Sequence, residues 1–285
     1  MMSKAIATVS RTREIMEKYD LHTKKKFGQN FLIEPSIVER IAKSIDNENK
    51  LLIVEIGPGI GALTEQLAKV ADKVIAYEID EQLIPVLADT LQAYDNVEIR
   101  HQDFLTVNFE NDFKPWLDKG YEISIAANLP YYITTPILFH LFENGVGIKD
   151  ITVMMQKEVA DRFLAKVSTK DYNALSVITQ YRANTKLVLK VPKEVFIPRP
   201  NVESSVIRFT LIKNECDIKN EAKFFELIKQ CFEQRRKTIL NNLSKLFDKE
   251  QASKYLLLAN IEPTRRAETC TLAEFTKLYE VIYHD

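Results

Sequence analysis

Polar groups fall at the ends of four successive apolar runs, and their types describe a ligand site. Gly57, Gly59 and Gly61 of "EIGPGIGALTEQLA" follow the run "LLIVEIG", and Glu78 closes "KVIAYEID". Asp103 ends "NVEIRHQD" and Asn128 ends "YEISIAAN". Glycines between a strand and a helix let backbone approach a ligand closely and turn sharply. Their spacing here is G-x-G-x-G, not the G-x-G-x-x-G of a dinucleotide site. Glu78 stands 21 residues after Gly57, where a carboxylate at the tip of a second strand accepts hydrogen bonds from ribose hydroxyls. Open α/β sheets bind ligands at the carboxyl ends of their strands, so four polar ends in a row predict one site. The stretch "NLPYYITTP" (128–136) adds an amide, a rigid proline and two tyrosines, a combination expected at a cleft.

The elements that must position these groups alternate along the chain. Residues 51–57, 73–80, 96–103, 121–128 and 151–156 read as strands, and 62–70, 81–92, 136–144 and 157–166 carry helix spacing. Near-continuous apolar strands separated by helices predict a mainly parallel sheet covered on both faces. Beyond 166, "ALSVITQYRANTKLVLKV" and "SSVIRFTLI" read as β-rich with no long helix between them, predicting a late antiparallel hairpin that closes the sheet. Pro198 and Pro200 assign the connecting "VFIPRPNVES" to an extended loop. From 214 onward the period is helical: "EAKFFELIKQCFEQRRKTILNNLSKLF", "KEQASKYLLLANI" and "TLAEFTKLYEVIYH". The expected organisation is a basic segment over 1–32, an α/β domain over 33–213 and a small all-helical domain over 214–285.

The chain has 285 residues, 46% hydrophobic and 28% charged, enough for one large domain with a smaller companion. No run approaches the length of a membrane span and the first residues lack the apolar core of a signal peptide, so a cytoplasmic location is expected. Cys216, Cys231 and Cys270 are too few and too widely spaced for a disulfide framework or a zinc site, and are expected to be ordinary buried thiols. No metal site is expected. Lys plus Arg number 39 against 40 Asp plus Glu, so any nucleic acid must be held by local clusters. Residues 1–32 carry a net of plus four, and Arg235, Arg236 and Lys237 form a second cluster.

Taken together, "KKKFGQNFL" (24–32), "EIGPGIGALTEQL", "EID", "QDF", "NLPYYITTP", "MMQKEVADR" and "QRRKTILNNL" resemble the bacterial ribosomal RNA small subunit adenine dimethyltransferases, the KsgA family. The likeness runs from about residue 10 to 285 in order and spacing. It implies a Rossmann-like fold dependent on S-adenosyl-L-methionine, with a mainly parallel seven-stranded sheet and a helical C-terminal domain. It implies that Asn30 and Leu32 line the cofactor site, that Gly57 contacts the cofactor through backbone, that Glu78 holds its ribose and Asp103 its adenine amine, and that Asn128 stands where cofactor meets target base. One departure is Asn173 of "DYNALS", where the family commonly has Gly.

The resemblance also gives the opening stretch a mechanism. An adenine amine is a poor nucleophile because its lone pair is delocalised into the ring. The Asn128 side-chain oxygen and the Leu129 carbonyl can favour a pyramidal nitrogen, with Pro130 setting the backbone and Tyr131 stacking on the extruded base. Phe196 is expected as an aromatic wall beside that base, and Arg235, Arg236 and Lys237 as phosphate contacts. The implied substrate is a pair of adjacent adenosines in a hairpin loop near the 3′ end of 16S rRNA, met in an immature 30S particle by a monomeric enzyme. The nearest alternative is a macrolide-resistance methyltransferase acting on large-subunit rRNA. A non-catalytic RNA-binding factor and a nicotinamide dehydrogenase fit less well, the first because the cofactor set is complete, the second because of the glycine spacing.

Overall fold

The computed structural model describes residues 4–21, 29–45, 49–130, 133–145, 147–212 and 218–283. Tyr131, Lys24, Lys25, Lys26 and Cys216 lie outside these described residues. The chain divides into two compact units, one of Met1–Ala160 with Lys186–Leu211 and one of Asp161–Thr185 with Ile212–Asp285.

In the first unit, α1 (Val9–Lys18), β1 (Phe31–Leu32) and α2 (Pro35–Lys43) precede a strand-helix alternation. It runs β2 (Leu51–Ile56), α3 (Thr64–Leu67), β3 (Lys73–Glu78), α4 (Ile84–Thr90), β4 (Val97–His101), α5 (Phe109–Leu117), β5 (Glu122–Asn128), α6 (Thr134–Asn144) and β6 (Ile148–Gln156). Next along the chain come α7 (Lys157–Phe163), α8 (Ala174–Arg182), which belongs to the second unit, β7 (Ala183–Val191), β8 (Phe196–Ile197) and β9 (Ser204–Leu211). The main sheet has seven strands in the order β4-β3-β2-β5-β6-β9-β7. The first five are parallel neighbours, whereas β9 runs antiparallel to β6. The expected Rossmann-like, mainly parallel seven-stranded sheet is thereby realised, and the strand order reverses between β2 and β5.

All six residues of β2 are buried, as a central strand with both faces covered requires. Alternate residues face opposite sides. Leu51 and Ile53 join Val74, Ala126, Met154 and Val206 under the α2 residues Val38 and Ile41. Towards the sheet's carboxyl edge, Tyr77 meets Phe104 edge-on at 5.5 Å, and Phe104 meets Phe109 at 5.9 Å. A charged pair also sits inside the unit: Asp150 near the start of β6 is fully buried and accepts from Arg208 of β9 at 3.0 Å. The same guanidinium donates to the Ser44 carbonyl at 2.7 Å.

Two expectations need correction. Residues 174–182 form a helix, α8, rather than the start of a β-rich stretch. Asn173 explains why: its Oδ1 accepts from the Leu175 N–H at 2.8 Å while its own N–H donates to Ser176 Oγ at 3.1 Å, a reciprocal cap that nucleates the turn. Only β7 remains extended in that run. The second correction concerns the C-terminal helices, α9 (Glu221–Cys231), α10 (Ile239–Leu243), α11 (Lys249–Leu258) and α12 (Leu272–Tyr283). The helical period at 221–247 is interrupted at 232–238, and Arg235, Arg236 and Lys237 lie in that turn, not on a helix. The Asn242 amide donates to the Cys231 carbonyl at 2.6 Å and holds the chain reversal closed. Within the second unit, Tyr181 packs against Phe224 and Tyr172 donates to the Cys270 carbonyl at 3.0 Å, which is why 161–185 groups with the C-terminal helices. Cys231 and Cys270 are both free and buried. Among the described residues, no helix is long and apolar enough to cross a membrane.

The glycine-rich turn after β2 depends on backbone that other residues avoid. Gly61 has φ of 91°, and a Cβ there would lie 3.2 Å from the Leu91 side chain and from Thr90 Oγ1. Gly61→Ala is expected to cost about 1–3 kcal/mol, read as a lower midpoint in urea denaturation. An unchanged midpoint would show that the turn tolerates a side chain.

Candidate functional site

Four strand ends of the first unit open onto one cavity. Gly57, directly after β2, has φ of 68° and donates to the Tyr77 carbonyl at 2.9 Å, so the chain leaves the sheet still tied to β3. Glu78 ends β3 and is 5% exposed. Its Oε2 accepts from the Gly59 N–H at 3.2 Å and its Oε1 from the Asp80 N–H at 2.8 Å. The turn and the carboxylate are therefore one hydrogen-bonded structure. Burial raises the Glu78 pKa, while the backbone donors of Asp80 and Gly59 pull it back.

Asp103 follows β4 and caps a short 3-10 turn, its Oδ1 accepting from the Leu105 N–H at 3.0 Å. Asn128 is the last residue of β5, Leu129 is buried, and the Pro130 carbonyl accepts from the Ile133 N–H at 3.1 Å at the approach to α6. From the N-terminal side come Asn30 and Leu32. β1 pairs antiparallel with β8, Leu32 opposite Phe196 and Phe31 opposite Ile197. The Phe31 ring lies 3.4 Å from where a Cβ on Gly59 would stand, an ordinary contact distance, so it is the φ of 62° that favours glycine there.

Asn30, Leu32, Gly57, Glu78, Asp103 and Asn128 all line this cavity, together with Leu129, Pro130 and Phe196. Tyr131 lies outside the described residues. Arg235, Arg236 and Lys237 belong to the second unit, where all three are exposed and Arg235 pairs with Glu268 at 2.9 Å. The cavity has a mixed lining: carboxylates and an amide at the strand ends, and apolar groups such as Phe31, Ile79, Leu83 and Phe104 between them. Such a surface suits a ligand that is part flat ring and part charged chain.

Sequence reasoning missed one candidate group. Glu55, on β2, is 1% exposed, lines the cavity, and its Oε2 has no hydrogen-bond partner among the described residues. Burial raises its carboxyl from the ordinary 4.5 to about 8, while the Thr64 hydroxyl pulls the other way. A carboxyl this poorly solvated takes up a proton unless a cation is brought to it. The available signal was a single charge inside an otherwise apolar strand, "LLIVEI".

The family described as "Ribosomal RNA adenine dimethylase" matches residues 21–284. The chain belongs to the ribosomal RNA adenine dimethylase family. Among relatives of this family, Ribosomal RNA small subunit methyltransferase A of Anoxybacillus flavithermus is 48% identical, covering 99% of this chain and 98% of its own length. The protein of the same name from Enterococcus faecalis is 47% identical over 96% of this chain and 95% of its own. Of solved structures, a dimethyladenosine transferase from Plasmodium falciparum superposes with a TM-score of 0.71 at 26% identity, covering 87% of this chain and 95% of that one. The 23S rRNA methyltransferase ErmE gives 0.65 at 24% identity, covering 89% and 99%, and shares the fold.

For this adenine dimethylase family member, Glu55 predicts a pH dependence. The folded state keeps a proton up to about pH 8 that the unfolded chain releases near the ordinary 4.5, so stability falls as pH rises through that window. Glu55→Gln removes the ionisation and is expected to stabilise the ligand-free protein at pH 8.5 by on the order of 2 kcal/mol, with little difference at pH 4.5. Urea denaturation at the two pH values measures it; an equal effect at both would locate the cause elsewhere.

Proposed function

We propose that this chain dimethylates the exocyclic amines of two adjacent adenosines in a hairpin loop near the 3′ end of 16S rRNA, using S-adenosyl-L-methionine. The observation that carries the reading is one cavity lined both by Glu78 and Asp103 and by Asn128, Leu129 and Pro130. Its residues fit that cofactor. Glu78 offers carboxylate oxygens to ribose hydroxyls, and Asp103 an acceptor for an adenine amine. The unpartnered Glu55 oxygen suits a cationic group, such as the ammonium of the methionine portion. When bound, the cofactor supplies an electrophilic methyl group on a sulfonium.

This chain's own residues would then position the nucleophile. The Asn128 side-chain oxygen and the Leu129 carbonyl accept the two amine N–H groups and favour a pyramidal nitrogen whose lone pair points at the methyl. Pro130 limits how the Leu129 carbonyl can turn, and Phe196 provides an apolar face for the base. Tyr131 is proposed as the stacking partner of the extruded ring. No catalytic base is required, since the methylated amine loses its proton readily to solvent. In the second round a single N–H remains, so one acceptor is left unused and the pocket must accommodate the first methyl.

The exposed Arg235, Arg236 and Lys237 of the helical unit are proposed to neutralise rRNA phosphates during docking. The partner is an immature 30S particle, and the protein acts as a cytoplasmic monomer. A small-subunit target is favoured over the large-subunit one by the names of the relatives that are 47–48% identical.

Mass spectrometry of rRNA nucleosides after incubating each isolated ribosomal subunit with protein and cofactor tests this. Dimethyladenosine is expected in small-subunit RNA alone, and Asn128→Ala should lower its yield by roughly a hundredfold or more. Product confined to large-subunit RNA, or parental yield from the variant, refutes the proposal.

A further inference from the structure

The cavity has one wall, residues 29–32, that comes from a distant part of the chain. At its far end this wall is fixed by the β1–β8 pairing and by the Ile33 N–H, which donates to the Val195 carbonyl at 2.9 Å. Its near end approaches the tip of β3, where the Gln29 Nε2 donates to Asp80 Oδ2 at 3.0 Å. Asp80 is only 5% exposed. Its other oxygen, Oδ1, accepts from the Gln82 N–H at 3.2 Å, and its own N–H donates to Glu78 Oε1 at 2.8 Å. One residue thus holds Glu78 through its backbone and the N-terminal wall through its side chain.

Capping the 3-10 turn does not require a carboxylate, because Asn caps equally well. A second carboxylate two residues from Glu78, in a site this buried, works against the ionisation of Glu78. The Gln29 amide donates to this carboxylate, and a hydrogen bond to an ionised acceptor is about twice as strong as a neutral one.

We propose that Gln29 and Asp80 are positioning residues whose hydrogen bond sets the wall carrying Asn30 and Leu32 at the correct distance from Glu78, and so controls cofactor affinity. The proposal rests on the cavity being the S-adenosylmethionine site. Gln29→Glu sets a second carboxylate against Asp80 Oδ2 and pushes the wall away. Asp80→Asn in the same chain supplies an amide that donates to the carboxylate introduced on the wall, while its oxygen still caps Gln82.

Isothermal calorimetry with S-adenosylmethionine on the full chain reads the outcome without turnover. Gln29→Glu should weaken binding by about tenfold, and the double variant should return to within about twofold of the parent. In the rRNA assay the single variant should raise KM for the cofactor while kcat at saturation stays within about twofold, because the residues that orient the amine are untouched. A purely structural role would lower the thermal midpoint without this split and without rescue. The parent and Glu78→Gln serve as reference. If the parent binds no cofactor, or Glu78→Gln binds as well as the parent, the assignment of the cavity fails. If both behave as expected but Gln29→Glu binds normally, or the double variant remains as weak as the single, the positioning role alone is overturned.

Discussion

The site depends on one constraint, the in-register parallel pairing of β2 with its two neighbours. Ile56 stands opposite Ala127 on β5 and opposite Tyr77 on β3. Gly57, Glu78 and Asn128 are each the next residue along, so three chains leave the sheet side by side at one edge. The Gly57 N–H bonded to the Tyr77 carbonyl extends the ladder one step past the strand. Because the side-chain period of a strand is two, a slip of one residue would turn Glu55 and Glu78 onto other faces and dissolve the cavity. The largely apolar faces of β2 and β5 make that slip costly, which is how packing far from the ligand secures the chemistry.

The second theme is stored electrostatic cost. Glu55 and Glu78 are both buried carboxyls whose pKa values burial raises, and they stand on adjacent strands facing the same cavity. A folded chain has no intrinsic reason to keep such groups unless a ligand satisfies them. Glu78 is partly satisfied already by two backbone N–H groups, whereas Glu55 keeps an oxygen without a described partner. The contrast fits the roles proposed for them: one carboxylate is already oriented by backbone donors, whereas the other retains an oxygen with no described partner. Asp150 is the counter-example in the same unit. It is equally buried, yet its partner Arg208 is supplied by the adjacent strand, so it serves the fold.

The elements most legible from sequence were those whose own side chains carry a periodic signal. The apolar runs that became β2, β3 and β5 each show enough Ile and Val to leave little choice, and Asn128 was readable because it ends one of them. The run at 174–191 was less legible, since "ALSVITQYR" has as many β-branched residues as a strand. There the outcome turned on Asn173 and Ser176, a local cap that overrides propensity at its start. The Arg-Arg-Lys cluster shows the reverse case. Its surroundings have helical period, but Asn242, eleven residues after Cys231, donates to that residue's carbonyl and closes a turn. A contact of that kind has no periodic signature.

By itself, then, the sequence determined the strand-helix alternation, the glycine-rich turn, the strand-end positions of Glu78, Asp103 and Asn128, and through its motifs the family. These follow from residue types and short spacings, which act along the chain. Tertiary structure decided the rest: that Phe31 reaches Gly59, that Leu32 lies opposite Phe196, that Gln29 reaches Asp80, and that Glu55 is left dry. Each of these joins residues far apart in the chain or depends on exclusion of water, and only the packed fold brings such groups together or removes their solvent.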